Sequence, residues 1–186
     1  MEPSGPLWVG RFPTSKVASD LAAPFRGNVE RFIAALTAAG AHVAIEATLR
    51  PPERAYMMHY AYRIAKEGLD PARIPVKPGV SIQWLHRNSA NGPDIAASRT
   101  AALKMVEAFG IVHRPALQSR HSEGKAIDMI VRWTGGLRVR DANGVEQLIT
   151  SLPRDGSRNV DLHRVGASYG VLKLVSDPPH WSLDGH

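Results

Sequence analysis

Ser119-Arg120-His121-Ser122-Glu123-Gly124-Lys125-Ala126-Ile127-Asp128-Met129-Ile130-Val131 reads as a turn that feeds a strand, and it places a carboxylate where a strand would not normally carry one. Between Ala126 and Val131, Asp128 is the only polar side chain. Period-two alternation puts it on one face with Ala126 and Ile130. A carboxylate in that setting is unfavourable unless it is solvated at the strand end, paired with a cation, or bound to a metal ion.

His121 lies seven residues before Asp128. On one helix that spacing would separate the two by about 10 Å of rise, whereas two ligands of one zinc ion must each lie about 2 Å from it. The chain between them therefore has to turn, and Gly124 supplies the backbone freedom. Asp177-Pro178-Pro179-His180-Trp181 brings a second histidine and a second carboxylate. Its two prolines fix φ and are expected to hold the segment extended, so that Asp177 and His180 have little freedom to lose. Each part has a plain reading by itself: a solvated histidine, an ion-paired aspartate, an Asp-Pro turn before a packed His-Trp pair. Together, His121, Asp128 and His180 make three protein ligands for one Zn2+ ion with one tetrahedral position open to water, which is a catalytic rather than a structural pattern. Asp177 is then the candidate general base for that water.

Working outward, Phe25, Val29, Phe32, Ile33, Leu36 and Ala39 recur at helical spacing before Gly40. His42–Thr48 alternates as a short strand and runs into Leu49-Arg50-Pro51-Pro52-Glu53-Arg54, where the prolines and Glu53 suit a helix start. That helix is expected to reach Lys66 and stop at Gly68. Residues 69–93 read as a long irregular excursion, and Asp94 as the cap of a helix ending at Gly110. The remainder is expected to hold a strand over Ala126–Trp133, a hairpin of Leu137–Arg140 and Val145–Thr150, a short helix over Val160–Ser168, and a final strand over Val171–Val175. These elements predict an α+β fold with a small, mostly antiparallel sheet flanked by helices. The expected organisation is a surface lead-in over 1–24 and one domain over 25–186.

The chain has 186 residues, 44% of them hydrophobic and 22% charged, as expected of a folded globular protein. It has 23 Lys and Arg against 17 Asp and Glu, a net charge of +6 that favours polyanionic partners such as nucleic acid, anionic membrane or an acidic wall polymer. The absence of cysteine excludes disulfides, thiolate metal sites and cysteine nucleophiles. No P-loop, dinucleotide fingerprint, nucleophile elbow or nucleic-acid motif is present, and no stretch has the length and apolarity of a membrane span. The N-terminus lacks the pattern of a secretory leader.

The combination of Ser119-x-His121-x-x-Gly124-x-Ala126-x-Asp128 with Asp177-x-x-His180-Trp181 resembles the zinc D-Ala-D-Ala carboxypeptidase and L-alanyl-D-glutamate endopeptidase family, which has the hedgehog-like peptidase fold. The resemblance implies that His121, Asp128 and His180 bind zinc and that Asp177 is the catalytic base. It extends to Thr48–Arg54, where Arg50 matches an arginine that polarises the scissile carbonyl or holds substrate, and it makes Ser119 a substrate contact. It implies hydrolysis of an amide in the peptide stems of bacterial peptidoglycan by a monomeric enzyme at the cell wall or periplasm. Delivery would then be by lysis, by specialised secretion, or by a leader outside this sequence. The alternative on the same fold is a module that binds cell wall without cutting it.

Overall fold

The computed structural model describes residues 1–186. Its first elements are β1 (Glu2–Pro3), α1 (Phe25–Ala38), β2 (His42–Ala47), α2 (Pro52–Lys66), β3 (Ile82–Gln83), β4 (His86–Arg87), β5 (Pro93–Asp94) and α3 (Ile95–Phe109). They are followed by β6 (Ala126–Arg132), β7 (Leu137–Arg140), β8 (Glu146–Ile149), α4 (Val160–Ser168), β9 (Leu172–Lys173) and β10 (His180–Ser182). The fold is α+β, as the patterning predicts. No helix is long and apolar enough to cross a membrane.

The chain divides into two compact units, and the division does not fall at residue 24: one comprises Met1–Pro13 with Pro51–Ser119, the other Thr14–Arg50 with Arg120–His186. The first 24 residues supply core side chains to both, Trp8 to the first and Leu21 to the second.

In the first unit, α2 packs on α3 through Met57, Ala61, Ile64, Ala102, Met105 and Val106. Helix α2 begins with proline inside its first turn and Glu53 beside it, as expected. Asp94 caps α3 by accepting from the Ala97 N–H at 2.8 Å, and the helix ends at Gly110 with φ +68. Within the excursion over 69–93, β3 pairs in parallel with β1 and β4 pairs with β5. Trp84 closes it by donating from Nε1 to the Tyr56 hydroxyl at 3.0 Å.

The second unit carries the four-stranded sheet, in the order β2-β6-β10-β9 with every pair antiparallel. Alternation along β6 sends Ile127, Met129 and Val131 into the core with Phe25, Val29, Phe32 and Leu36 of α1. Asp128, Ile130 and Arg132 share the opposite face. Trp181, fully buried, lies between Phe32 at 5.6 Å and His163 at 5.5 Å between ring centroids. Gly166 makes room for it, since a Cβ there would meet Trp181 Cζ3 at 2.7 Å.

Two details of the final segment differ from the sequence reading. The strand expected over Val171–Val175 is confined to Leu172–Lys173. The segment before His180 is not extended but turned, with the Asp177 N–H donating to Leu174 O at 3.2 Å and the His180 N–H to Asp177 O at 3.1 Å. Proline fixes φ near −65°, a value shared by turns and extended chain, so two prolines did not decide between them. The turn allows β9 and β10 to pair, and strand geometry resumes at His180.

Candidate metal centre

Three donors converge on the face of the sheet: His121 Nε2, Asp128 Oδ1 and His180 Nδ1. Their separations are 3.2 Å between the two imidazoles, 3.2 Å from His121 to Asp128 and 3.1 Å from His180 to Asp128. Both histidines are buried and Asp128 is half-buried, and the group can hold a metal ion. For metal–ligand bonds of about 2 Å, the edge of a tetrahedron is about 3.3 Å, so these spacings match one face of a tetrahedral site.

Different elements place the three side chains. Asp128 comes from β6 and His180 from the first residue of β10. His121 comes from the turn before β6, where Gly124 has φ +67 and its N–H donates to His121 O at 3.3 Å. A Cβ on Gly124 would meet the Ala22 nitrogen at 2.9 Å, so glycine is required there for space as well as for backbone freedom.

The outer hydrogen bonds fix which nitrogen of each ring faces the centre. His121 Nδ1 lies 2.7 Å from Thr48 O, and His180 Nε2 lies 3.1 Å from His186 O. A carbonyl only accepts, so each of these nitrogens carries a proton. In the neutral rings the inward nitrogens then have lone pairs, and with the Asp128 carboxylate three lone-pair donors face one another with no proton between them. Such a set calls for a cation at its centre. Without metal, a proton on an inward nitrogen can take that place. Burial opposes the charged form of Asp128, but hydrogen bonding to His121 and His180 outweighs it and holds the carboxyl far below its ordinary range. Burial likewise opposes the charge on His180, and Asp128 overrides it to raise the imidazole's pKa.

Thr48 is itself fixed, its N–H donating to Ser15 O at 2.7 Å and its hydroxyl to Val17 O at 3.1 Å. The segment bearing His186 is tied down by an Arg120–Asp184 ion pair, with Arg120 adjacent to His121 in the chain. Lys173 supports the turn that carries Asp177 and His180. Its ammonium donates to Leu174 O at 2.5 Å, Asp177 O at 2.6 Å and His180 O at 3.0 Å.

Of the other candidates, Arg50 is half-buried, and its N–H donates to His121 O at 3.0 Å. Burial lowers its pKa while the Asp128 carboxylate pulls the other way, which identifies Asp128 as its electrostatic partner. Asp177 is exposed on the turn three residues before His180, and its charge acts on both His180 and Lys173. Ser119 is the last residue of the first unit and is not one of the three donors. His163 packs on Trp181 and donates from Nε2 to Gly156 O at 3.0 Å, a structural role.

Neither a scan against models of known protein families nor a search of curated proteins returns a match for this sequence.

Sequence reasoning missed three supports of the centre: Thr48 O, His186 O and Lys173. Main-chain carbonyls leave no mark in a sequence. Lys173 did leave one, a lone charge in the apolar run Val171–Val175, which is the same signal that singles out Asp128.

Proposed function

We propose that this chain is a zinc metallopeptidase that hydrolyses an amide bond in the peptide stems of bacterial peptidoglycan. The reading rests on one observation above all. His121, Asp128 and His180 present three inward lone pairs at tetrahedral-edge spacing, each imidazole held in tautomer by a carbonyl behind it. Two neutral imidazoles and one carboxylate suit zinc, which accepts nitrogen and oxygen donors in a four-coordinate site and leaves the fourth position for reaction. The likeness of the two motifs to the D-Ala-D-Ala carboxypeptidase and L-alanyl-D-glutamate endopeptidase family supplies the substrate class, and an α+β sheet with ligands on adjacent antiparallel strands is compatible with the hedgehog-like fold.

Zinc bound there would supply Lewis acidity to the amide carbonyl and to water. The protein does the rest. The Asp177 carboxylate, exposed beside the third ligand, accepts the proton of the attacking water and returns it to the leaving amine nitrogen. Arg50, held against the His121 turn, directs its guanidinium toward negative charge developing on the carbonyl oxygen or toward a substrate carboxylate. The +6 surface favours retention on an anionic wall.

The test is digestion of purified sacculi by zinc-loaded protein and by Asp177→Ala, with mass spectrometry of the released muropeptides to identify the bond. Release by wild type alone is the expected result. Equal release by both proteins removes Asp177 from the role of general base, whereas sacculus binding without release excludes the catalytic reading and favours a wall-binding module.

A further inference from the structure

The turn that joins β9 to β10 closes on itself through three carbonyls. The Leu174 N–H donates to His180 O at 3.1 Å, the Asp177 N–H to Leu174 O at 3.2 Å and the His180 N–H to Asp177 O at 3.1 Å. Leu174, Asp177 and His180 are thus linked in a ring, each giving its N–H to the carbonyl of another. Each carbonyl has a second lone pair, and one group takes all three. The Lys173 ammonium donates to Leu174 O at 2.5 Å, to Asp177 O at 2.6 Å and to His180 O at 3.0 Å. An ammonium has three N–H donors, so the match is complete on both sides.

The main chain cannot fill this cage by itself. Pro178 and Pro179 carry no N–H, so the stretch between Asp177 and His180 has no donor of its own. Carbonyl oxygens gathered at one point repel one another unless a cation lies among them, which is why rings of main-chain carbonyls bind cations. Lys173 reaches the cage from β9, where it is paired in register with Trp181, the residue after His180. Its ammonium lies 5.7 Å from the centre of the Trp181 ring. The side chain is half-buried and forms no ion pair, so its charge is committed to the turn.

Two corners of the ring carry the chemistry. His180 is the third donor of the metal centre, and Asp177 is the exposed carboxylate three residues before it. We propose that Lys173 is a positioning residue: an internal cation that locks the ligand His180 and the base Asp177 into one unit and so fixes the carboxylate relative to the metal. The part that concerns Asp177 rests on the metallopeptidase reading, whereas the part that concerns His180 rests on the metal centre alone.

Three variants test it. Lys173→Met keeps the stem and removes the donors, Lys173→Arg keeps the charge but spreads its donors in a plane, and Lys173→Ala removes a fragment that propylammonium can replace. Each should weaken zinc binding by about 10–100-fold in competition with a chelator, the range for loss of an outer support. Each should also change the visible spectrum of cobalt-loaded protein, which reads the geometry at the metal. With zinc saturating, kcat on soluble muropeptides should fall on the order of tenfold at constant KM, because a general base acts in the transition state. Propylammonium should restore the zinc affinity and cobalt spectrum of Lys173→Ala, and tetramethylammonium, an equal charge without an N–H, should not. Unchanged zinc affinity and cobalt spectrum in the variants, no rescue by propylammonium, or equal rescue by tetramethylammonium overturns the proposal. If loss of the charge unfolds the chain, as circular dichroism would show, Lys173→Arg carries the same expectations and the same refutation. Weakened zinc binding in the variants, with no digestion of sacculi by wild type, removes the hydrolase reading and leaves the cage standing. Digestion by wild type, with zinc affinity and kcat unchanged in the variants, does the reverse.

Discussion

Asp128 and His180 are cross-strand partners, with their Cα atoms in register where β6 and β10 pair and their donor atoms 3.1 Å apart. Directly opposed residues of an antiparallel pair have side chains on the same face at close range, so the sheet itself sets two of the three donor positions. Only His121 depends on a turn. A ligand substitution should therefore remove the metal without removing the sheet. Purified protein is expected to contain one zinc per chain by elemental analysis. His121→Ala, Asp128→Ala and His180→Ala should each weaken zinc binding by about a hundredfold or more, with circular dichroism unchanged. A variant retaining full zinc affinity would refute the assignment of that ligand.

The second prediction concerns the carbonyl behind His180. His186 acts through its main-chain oxygen, at 3.1 Å from His180 Nε2. Replacing its side chain by alanine should leave zinc affinity unchanged, whereas deletion of Gly185 and His186 frees the ring and lets the other tautomer form. Loss of such an outer partner lowers metal affinity by about 10–100-fold, and competition with a chromogenic chelator measures it. If the deletion has no effect, the tautomer is not held from that side.

Gly166 supports the centre from the core. It lies under Trp181, the residue after the third ligand, and an added Cβ would meet Trp181 Cζ3 at 2.7 Å, Val171 O at 2.9 Å and Phe32 Cζ at 3.3 Å. Two of those neighbours are aromatic rings fixed in a closed core and one is backbone, so none can yield easily. Gly166→Ala should destabilise the fold by about 1–3 kcal/mol, the range for overpacking, seen as a lower urea midpoint in both metal-free and zinc-loaded protein. An unchanged midpoint would mean that α4 shifts freely on the sheet.

How much of this was legible beforehand divides along physical lines. Helices α1, α2, α3 and α4 announce themselves by spacing, by the Asp94 cap and by glycines with positive φ at positions 68, 110 and 170. Asp128 and His121 stand out because a charge in an apolar strand and a histidine before a glycine turn have few reasons to be there. The division into two units was hidden, because residues 1–13 and 51–119 become one body only through contacts distant in sequence. The turn over Asp177–Pro179 was misread as extended because proline φ serves both conformations. Strand β10 was missed since it is three residues long, and its partner alone makes it a strand.

The raised pKa of His180 beside Asp128 leads to the last prediction. Burial favours the neutral imidazole, but Asp128 prevails and His180 has a raised pKa. A raised imidazole pKa contributes stability that is fully present below the unfolded value of about 6.5 and is lost as pH rises through the folded value. The matching depression of Asp128 contributes above the unfolded carboxylate range and is lost only in strong acid. The pair therefore stabilises metal-free protein most in mildly acidic solution. The Tm difference between wild type and His180→Asn, both metal-free, should shrink as pH rises from about 6 to about 8. Zinc must displace the proton of the charged imidazole, so zinc affinity should change in the opposite sense, rising with pH over the same range. Calorimetry in two buffers of different ionisation enthalpy should then register proton release on zinc binding near pH 6. A Tm difference that widens with pH, or zinc binding without proton release, would show that His180 is already neutral beside Asp128 and that the donors meet without a proton to exchange for the metal.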